Sequence, residues 1–256
     1  MTSQKISAAI LTFNSEKHLK SVLEKLYWCD EIVILDSYST DETLEIANVF
    51  NAKIHQNKFE NFGAQKQLLM SKCENDWIIS IDSDEVLSDN LIENIKKLSA
   101  SEFEKNAGFI INRKHIFLNK YFKYGKESKI YILRLFNKQL GGVTNNIVHE
   151  SIKVKGKVSK IEGAMLHYTV DKLNEAIKKM DSYALLKATE YHKNNKKLTF
   201  IKLYITFHFT FFREYIFNRN FLNGYEGYLW AYLVAQGAAL KYYYLKELYD
   251  LYPNTI

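Results

Sequence analysis

Short apolar runs and helical stripes alternate along the first hundred residues. Residues 6–11 form an apolar run of strand length, and in 15–28 Leu19, Val22, Leu23 and Leu26 recur at helical spacing. Residues 31–35 (EIVIL) predict a second, β-branched strand. Ser39, Thr40 and Asp41 then supply groups suited to start a helix carrying Leu44, Ala47, Val49 and Phe50. Residues 53–55 predict a short strand, 61–73 a helix with Leu68 and Leu69 inward, and 77–81 (WIISI) a fourth strand. Strands alternating with helices at this spacing predict βαβ units and a parallel sheet covered on both faces. Ligands bind such sheets beyond the carboxyl ends of the strands. The residues there are Thr12, Phe13 and Asn14, then 36–41 (DSYSTD), then 82–85 (DSDE).

The rest of the chain follows other patterns. Residues 108–111 and 129–136 predict strands, with turn glycines at Gly125, Gly141 and Gly142. From Asp171 the pattern is helical, with Leu173, Ala176, Ile177, Met180, Ala184 and Ala188 on one face. Residues 171–256 hold 20 of the chain's 37 aromatic residues, so the last third is expected to be an aromatic-rich helical extension. The formal charge of +6 is uneven: −6 over residues 1–100, +8 over 101–170 and +4 over 171–256. An acidic first part and a basic middle suit a metal or hydroxyl-rich ligand and an anionic partner, respectively, although 31 lysines against 4 arginines also fit a compositional bias. Cys29 and Cys73 form no CxxC and are expected to be small buried side chains in a reducing compartment. No secretory signal and no apolar run of spanning length is read, and a cytoplasmic location is expected.

Missing motifs narrow the chemistry. The earliest glycine is Gly63 and there is no GxG, which excludes a dinucleotide fingerprint and a Walker A loop. Neither GxSxG nor a zincin HExxH occurs. Asp82 and Asp84 follow the fourth strand directly, and on an extended end residues i and i+2 face one side. Two such carboxylates repel unless a cation lies near them, and Mg²⁺ or Mn²⁺ takes one or two carboxylates and completes its shell with water and phosphate. The competing reading is a helix cap, with Asp84 or Ser88 starting the helix that carries Leu91, Ile92 and Ile95.

The strings AAILTFNSEKHL, EIVILDSYSTDETLEIA, FENFGAQKQ and WIISIDSDE, followed by LRLF (133–136), VHE (148–150) and LHYT (166–169), resemble the family-2 glycosyltransferases of the α/β GT-A fold. More narrowly they resemble bacterial lipopolysaccharide inner-core β-glucosyltransferases. The resemblance covers at least residues 5–170. It implies a Rossmann-like, mainly parallel sheet, with residues 1–100 as the nucleotide-sugar half, 101–170 as the acceptor half and 171–256 as the helical extension. It also implies a nucleotide pocket lined by Thr12, Asn14 and Glu16, with Asp36 on the uracil or ribose and Ser37 and Ser83 beside it. Lys66 would approach the diphosphate. Asp82 and Asp84 would form the DxD signature for Mg²⁺ or Mn²⁺, with Asp84 the direct ligand. Glu150 is the candidate catalytic base, and His149 or His167 a further ligand or phosphate contact. Tyr38 departs from the family's usual DSGS and puts the turn geometry there in question.

The implied reaction is inverting transfer of a hexose, glucose first, from a UDP-sugar to a lipopolysaccharide or lipooligosaccharide core or other cell-surface glycan. The basic middle and aromatic tail suit an anionic glycolipid or oligosaccharide acceptor, with peripheral association at the inner face of the cytoplasmic membrane. A homo-oligomer and a buried helix compete for the same aromatic residues, and no nucleic acid partner is expected. Other classes stay open. A sugar nucleotidyltransferase shares paired aspartates but usually carries a glycine-rich N-terminal loop, absent here. A non-catalytic nucleotide- or RNA-binding module leaves the strand-end carboxylates unexplained.

Overall fold

The predicted alternation is realised strand by strand. The computed structural model describes residues 4–143 and 151–252. Two units are distinguished, Met1–Lys114 with Ile130–His167, and His115–Lys129 with Tyr168–Ile256. The first begins β1 (Ile6–Thr12), α1 (Glu16–Glu24), β2 (Glu31–Asp36), α2 (Thr43–Val49), β3 (Lys53–Gln56), α3 (Phe62–Lys72) and β4 (Trp77–Asp82). These strands lie in the order β3-β2-β1-β4, and all three ladders are parallel. Parallel strands must be apolar on both faces, and Ala8, Ala9, Ile10, Val33 and Ile34 are wholly buried. Ala9, Val33, Leu35, Leu69, Ile78 and Phe136 belong to one apolar cluster.

The expected helices form with small differences at their ends. α1 buries Leu19, Val22 and Leu23. α3 starts at Asn61, whose Oδ1 accepts from the Ala64 N–H at 2.9 Å. α2 departs from expectation: it is only two turns long, its inward stripe is Thr43 and Ala47, and Val49 points into solvent. A residue two beyond Ala47 lies on the opposite side of a helix.

After β4 come β5 (Glu85–Leu87), α4 (Asp89–Lys96), α5 (Ala100–Lys105), β6 (Gly108–Phe117), β7 (Lys120–Tyr121), β8 (Ile130–Asn137), β9 (Gly141–Val143), β10 (Ile152–Val154) and β11 (Val158–Val170). The cap of α4 is Ser88, which accepts from the Leu91 N–H, so Asp84 is left free of capping. The sheet continues β4-β8-β6-β11-β5 with antiparallel pairing at β4–β8, β6–β8 and β5–β11, and β7 adds to β6. Among the described residues, nine strands make this mixed sheet, and β9 and β10 pair separately. Gly163 has a φ of +109°, and a Cβ there would sit 2.6 Å from the Leu91 backbone. Only glycine lets β11 pass this close to α4.

The second unit contains α6 (Leu173–Lys193), α7 (Phe200–Phe212), a π-helical turn (Arg213–Phe217), a 3₁₀ turn (Asn220–Asn223) and α8 (Tyr225–Leu251). α8 packs on both α6 and α7. Its core gathers Phe117, Phe122, Val170, Ala176, Trp230 and Leu233, with Trp230 edge-on to Phe117 at 5.2 Å. On α6 the buried positions are Ala176, Ala184 and Ala188. Leu173 and Ile177, expected inward, are exposed, because small alanines at i and i+4 spacing give a close, narrow seam. Residues 219–227 (RNFLNGYEG) have a structural use. Buried Asn223 accepts from the N–H groups of Lys123 and Tyr124, both at 3.1 Å, and donates to the Tyr124 carbonyl. Gly227 lies against the Asn220 carbonyl, where a Cβ would come within 1.9 Å.

Both cysteines are free thiols, and burial pushes Cys73 up to about 12. Among the described residues no helix is long and apolar enough to cross a membrane.

Candidate active site

Two polar networks sit beyond the carboxyl ends of the parallel strands. The first ties the loop after β1 to the loop after β2. Asp36 is wholly buried, and its carboxylate accepts from Thr12 Oγ1 at 2.9 Å, from the Ser39 N–H at 2.9 Å, from Ser39 Oγ and from Gln56 Nε2 at 3.2 Å. Burial raises the Asp36 carboxyl, but the Ser39, Gln56 and Thr12 donors outweigh it and hold the group below the usual carboxylate range. Asp36 thus organises the turn, as a capping residue would. Asn14 donates its N–H to Ser39 Oγ and accepts the Thr40 N–H on Oδ1, both at 2.9 Å. Glu16 accepts the Glu42 N–H. Ser37 accepts from Gln65 Nε2 at 3.0 Å, which joins α3 to the same network.

Within this turn Tyr38 has a φ of 63° and is exposed. The position that the resemblance fills with glycine is therefore left-handed here too, and a tyrosine occupies it at a steric cost of roughly 1–2 kcal/mol. Glycine removes that cost and adds back about 0.5–1 kcal/mol of chain entropy. Tyr38→Gly is expected to stabilise the fold by about 0.5–1 kcal/mol, seen as a higher urea midpoint. A lower midpoint would mean that the tyrosine ring holds the loop.

The second network surrounds the acidic doublet. Asp82 Oδ2 accepts from Arg134 at 2.8 Å, and Lys66 Nζ lies 3.6 Å from Oδ1. Arg134 also donates to Glu85 Oε1 at 2.6 Å, and Arg113 stands 3.7 Å from the same oxygen. Burial raises Asp82, but Arg134 and Lys66 reverse the effect and keep it well below the ordinary carboxylate range. Glu85 goes the other way, because burial outweighs Arg134 and Asp82 repels it. Asp84 faces His167, with Oδ2 and Nε2 3.2 Å apart. The β5–β11 register, which sets His167 opposite Glu85, makes that pair. Ser83 Oγ meets Ser15 Oγ at 2.9 Å and links the two networks.

Lys66, Asp82, Arg113, Tyr131, Arg134 and Ser151 line a cavity of about 480 Å³. Arg113 and Arg134 each keep a buried Nε–H without a partner among the described residues. Among the described residues no three His, Cys, Asp or Glu side chains form a closed metal cage. The donor set nonetheless suits a hard divalent ion. Asp84 offers carboxylate oxygen and His167 imidazole nitrogen, and an ion such as Mg²⁺ or Mn²⁺ that draws its remaining ligands from water and substrate needs no cage.

The structure thus brings together Thr12, Asn14, Glu16, Asp36 and Ser37 in one network, and Lys66, Asp82, Ser83, Asp84 and His167 in the other. His149 and Glu150 lie outside the described residues. In the sequence Glu85 stands out only as the end of the strand-end run 82–85, with no role of its own, and Arg134 and Arg113 carry no site assignment. Arg134 lies within LRLF, and the available signal is the rarity of arginine: two of the chain's four sit in this cluster. Where lysine is the default cation, arginine marks sites needing a planar, multi-bonded donor.

A sheet with a parallel half and an antiparallel half, carrying a strand-end acidic pair beside cations, is an architecture of the GT-A type. The family model described as Glycosyl transferase family 2 matches residues 7–155, more than half of the chain, and the protein belongs to that family. The lipopolysaccharide core biosynthesis glycosyltransferase LpsC of Rhizobium meliloti is 29% identical over 231 residues, 88% of this chain and 85% of that one. An uncharacterised glycosyltransferase of Rickettsia typhi is 25% identical over 260 residues, 96% of this chain and 88% of that one. Among solved structures, residues 1–349 of Staphylococcus aureus TarS align with a TM-score of 0.47 at 15% identity, covering 97% of this chain and 92% of that one.

Proposed function

We propose that this glycosyltransferase moves a hexose, glucose first, from a UDP-sugar to an anionic glycolipid or oligosaccharide of the lipopolysaccharide-core type, with inversion at the anomeric carbon. The observation that carries the reading is the meeting of Asp82, Asp84 and His167 with Lys66 and Arg134 at the end of β4. Carboxylates and cations are both needed where a diphosphate departs. The similarity to LpsC supports the acceptor class, and the excess of lysine over residues 101–170 supports its negative charge.

In this reading residues 1–100 bind the donor and 101–170 the acceptor. Asp36 fixes the wall formed by Thr12, Asn14, Glu16 and Ser37 around the nucleoside. Lys66 and Ser83 meet the diphosphate. Asp84, with Asp82 and His167 beside it, holds Mg²⁺ or Mn²⁺, and such an ion supplies Lewis-acid compensation for charge on the leaving group. Arg134 keeps Asp82 ionised and in place. Glu150 takes the acceptor hydroxyl proton as that oxygen attacks from the face opposite the diphosphate, and His149 beside it contacts phosphate.

Hydrolysis of a panel of nucleotide sugars with Mn²⁺ and no acceptor tests the donor assignment, with UDP-glucose expected to turn over fastest. For Asp84→Ala, calorimetry is expected to show UDP affinity with Mn²⁺ falling to about the metal-free level, a loss of tenfold or more. Equal Mn²⁺ enhancement in wild type and variant would remove Asp84 from the metal site.

A further inference from the structure

The second unit carries a helix that is apolar all round and covered on one side only. Leu203, Thr210 and Glu214 face inward and are buried. On the outward side Ile201, Tyr204, Ile205, Phe209, Phe212 and Phe217 are between 54% and 78% exposed. Spacings of four, four and three put Ile201, Ile205, Phe209 and Phe212 on one ridge. Solvated helices place polar residues on that face, and a helix apolar on every side normally has a cover.

The charges around the ridge say what kind of cover. Residues 191–225 contain six cations, Lys193, Lys196, Lys197, Lys202, Arg213 and Arg219, and all six are exposed. The same stretch holds one acid, Glu214, which is wholly buried and already paired with Arg213 and Lys126. Within this segment the accessible side chains therefore include large apolar groups and cations but no acid. α7 has 13 residues and cannot span a bilayer. Aromatic and aliphatic side chains flanked by cations are what an interfacial helix lays into an anionic headgroup region.

We infer that the α7 ridge, Ile201 to Phe217, docks this enzyme on an anionic lipid surface, with Lys196, Lys197 and Lys202 engaging the headgroups. A lipid-linked acceptor, part of the proposed function, gives this docking its purpose, whereas its support is the exposed ridge and the exposed cations of the same segment.

Flotation of the full chain with phosphatidylglycerol-containing vesicles tests it, with pure phosphatidylcholine vesicles as the neutral arm. The chain is expected to float with the anionic vesicles at least about tenfold better, and less so as salt rises. A variant combining Ile205→Ser, Phe209→Ser and Phe212→Ser is expected to bind at least about tenfold more weakly while hydrolysing UDP-sugar in solution like wild type. A second variant, Lys196→Gln with Lys197→Gln and Lys202→Gln, leaves the apolar ridge intact and is expected to lose the preference for anionic vesicles. Failure of the wild type to float, or flotation of the serine variant like wild type, overturns the inference. So does sedimentation of the wild type as a dimer that the serine variant dissociates, because the cover is then a second copy. Vesicle binding without any UDP-sugar turnover would leave the docking standing and remove the donor assignment instead.

Discussion

Replacing Glu150 by glutamine is expected to lower kcat by about 10³-fold and to leave UDP affinity within about twofold of wild type. The acceptor hydroxyl is a weak nucleophile until its proton is taken, and a positioned carboxylate contributes about 10²–10⁴-fold to that step. Glu150 is the only carboxylate between Glu127 and Glu162. Its chain neighbour Ser151 lines the cavity that also contains Asp82 and Lys66. The amide of glutamine keeps the shape and removes the basicity, so an effect on turnover alone identifies a base. Steady-state rates with acceptor, read beside calorimetric UDP binding, give the two numbers. A large loss of UDP affinity with little change in kcat would assign Glu150 to donor binding.

The second large effect concerns stability. Arg134→Leu is expected to cost about 3–5 kcal/mol, because it strands the wholly buried Glu85 without its main counter-charge. Burial already raises the Glu85 carboxyl, and losing Arg134 raises it further. A carboxyl raised in the folded state binds more protons folded than unfolded, so its deficit is largest at high pH. The variant is therefore expected to regain stability as pH falls toward the ordinary glutamate range near 4.3. Adding Glu85→Leu to the same chain is expected to recover most of the loss at neutral pH, since removing both partners is far cheaper than removing one. Urea denaturation at several pH values measures both effects. A deficit independent of pH and unrelieved in the double variant would make lost packing the cause.

The parallel half of the sheet is legible in the sequence because its signals are local. Strands buried on both faces, as at Ala8–Ile10 and Ile78–Ile79, read as unbroken apolar runs, and α1 and α3 show their stripes within a few turns. The acidic doublet is legible for the same reason: Asp82 and Asp84 follow β4 directly in the chain. What surrounds them depends on pairing between distant segments. His167 meets Asp84 only through the β5–β11 register, and Arg134 reaches Asp82 and Glu85 only because β8 lies antiparallel beside β4. No periodicity encodes either contact. The seam of α6 was blurred for a different reason. Leu173 and Ile177 match the helical period as well as the alanines do, and only close packing against α8 picks out the smaller side chains. In α7 apolar residues on every side hide which face is covered.

The stitched loops after β1 and β2 carry a thermodynamic consequence. Their donors and acceptors are already satisfied by Asp36, Asn14, Ser39 and Thr40, so under the proposed function a nucleoside would meet a wall set in advance, with little chain left to order around it. On that proposal the entropic toll on capture would be small, and the wall would act as a template whose fixed contour selects among bases.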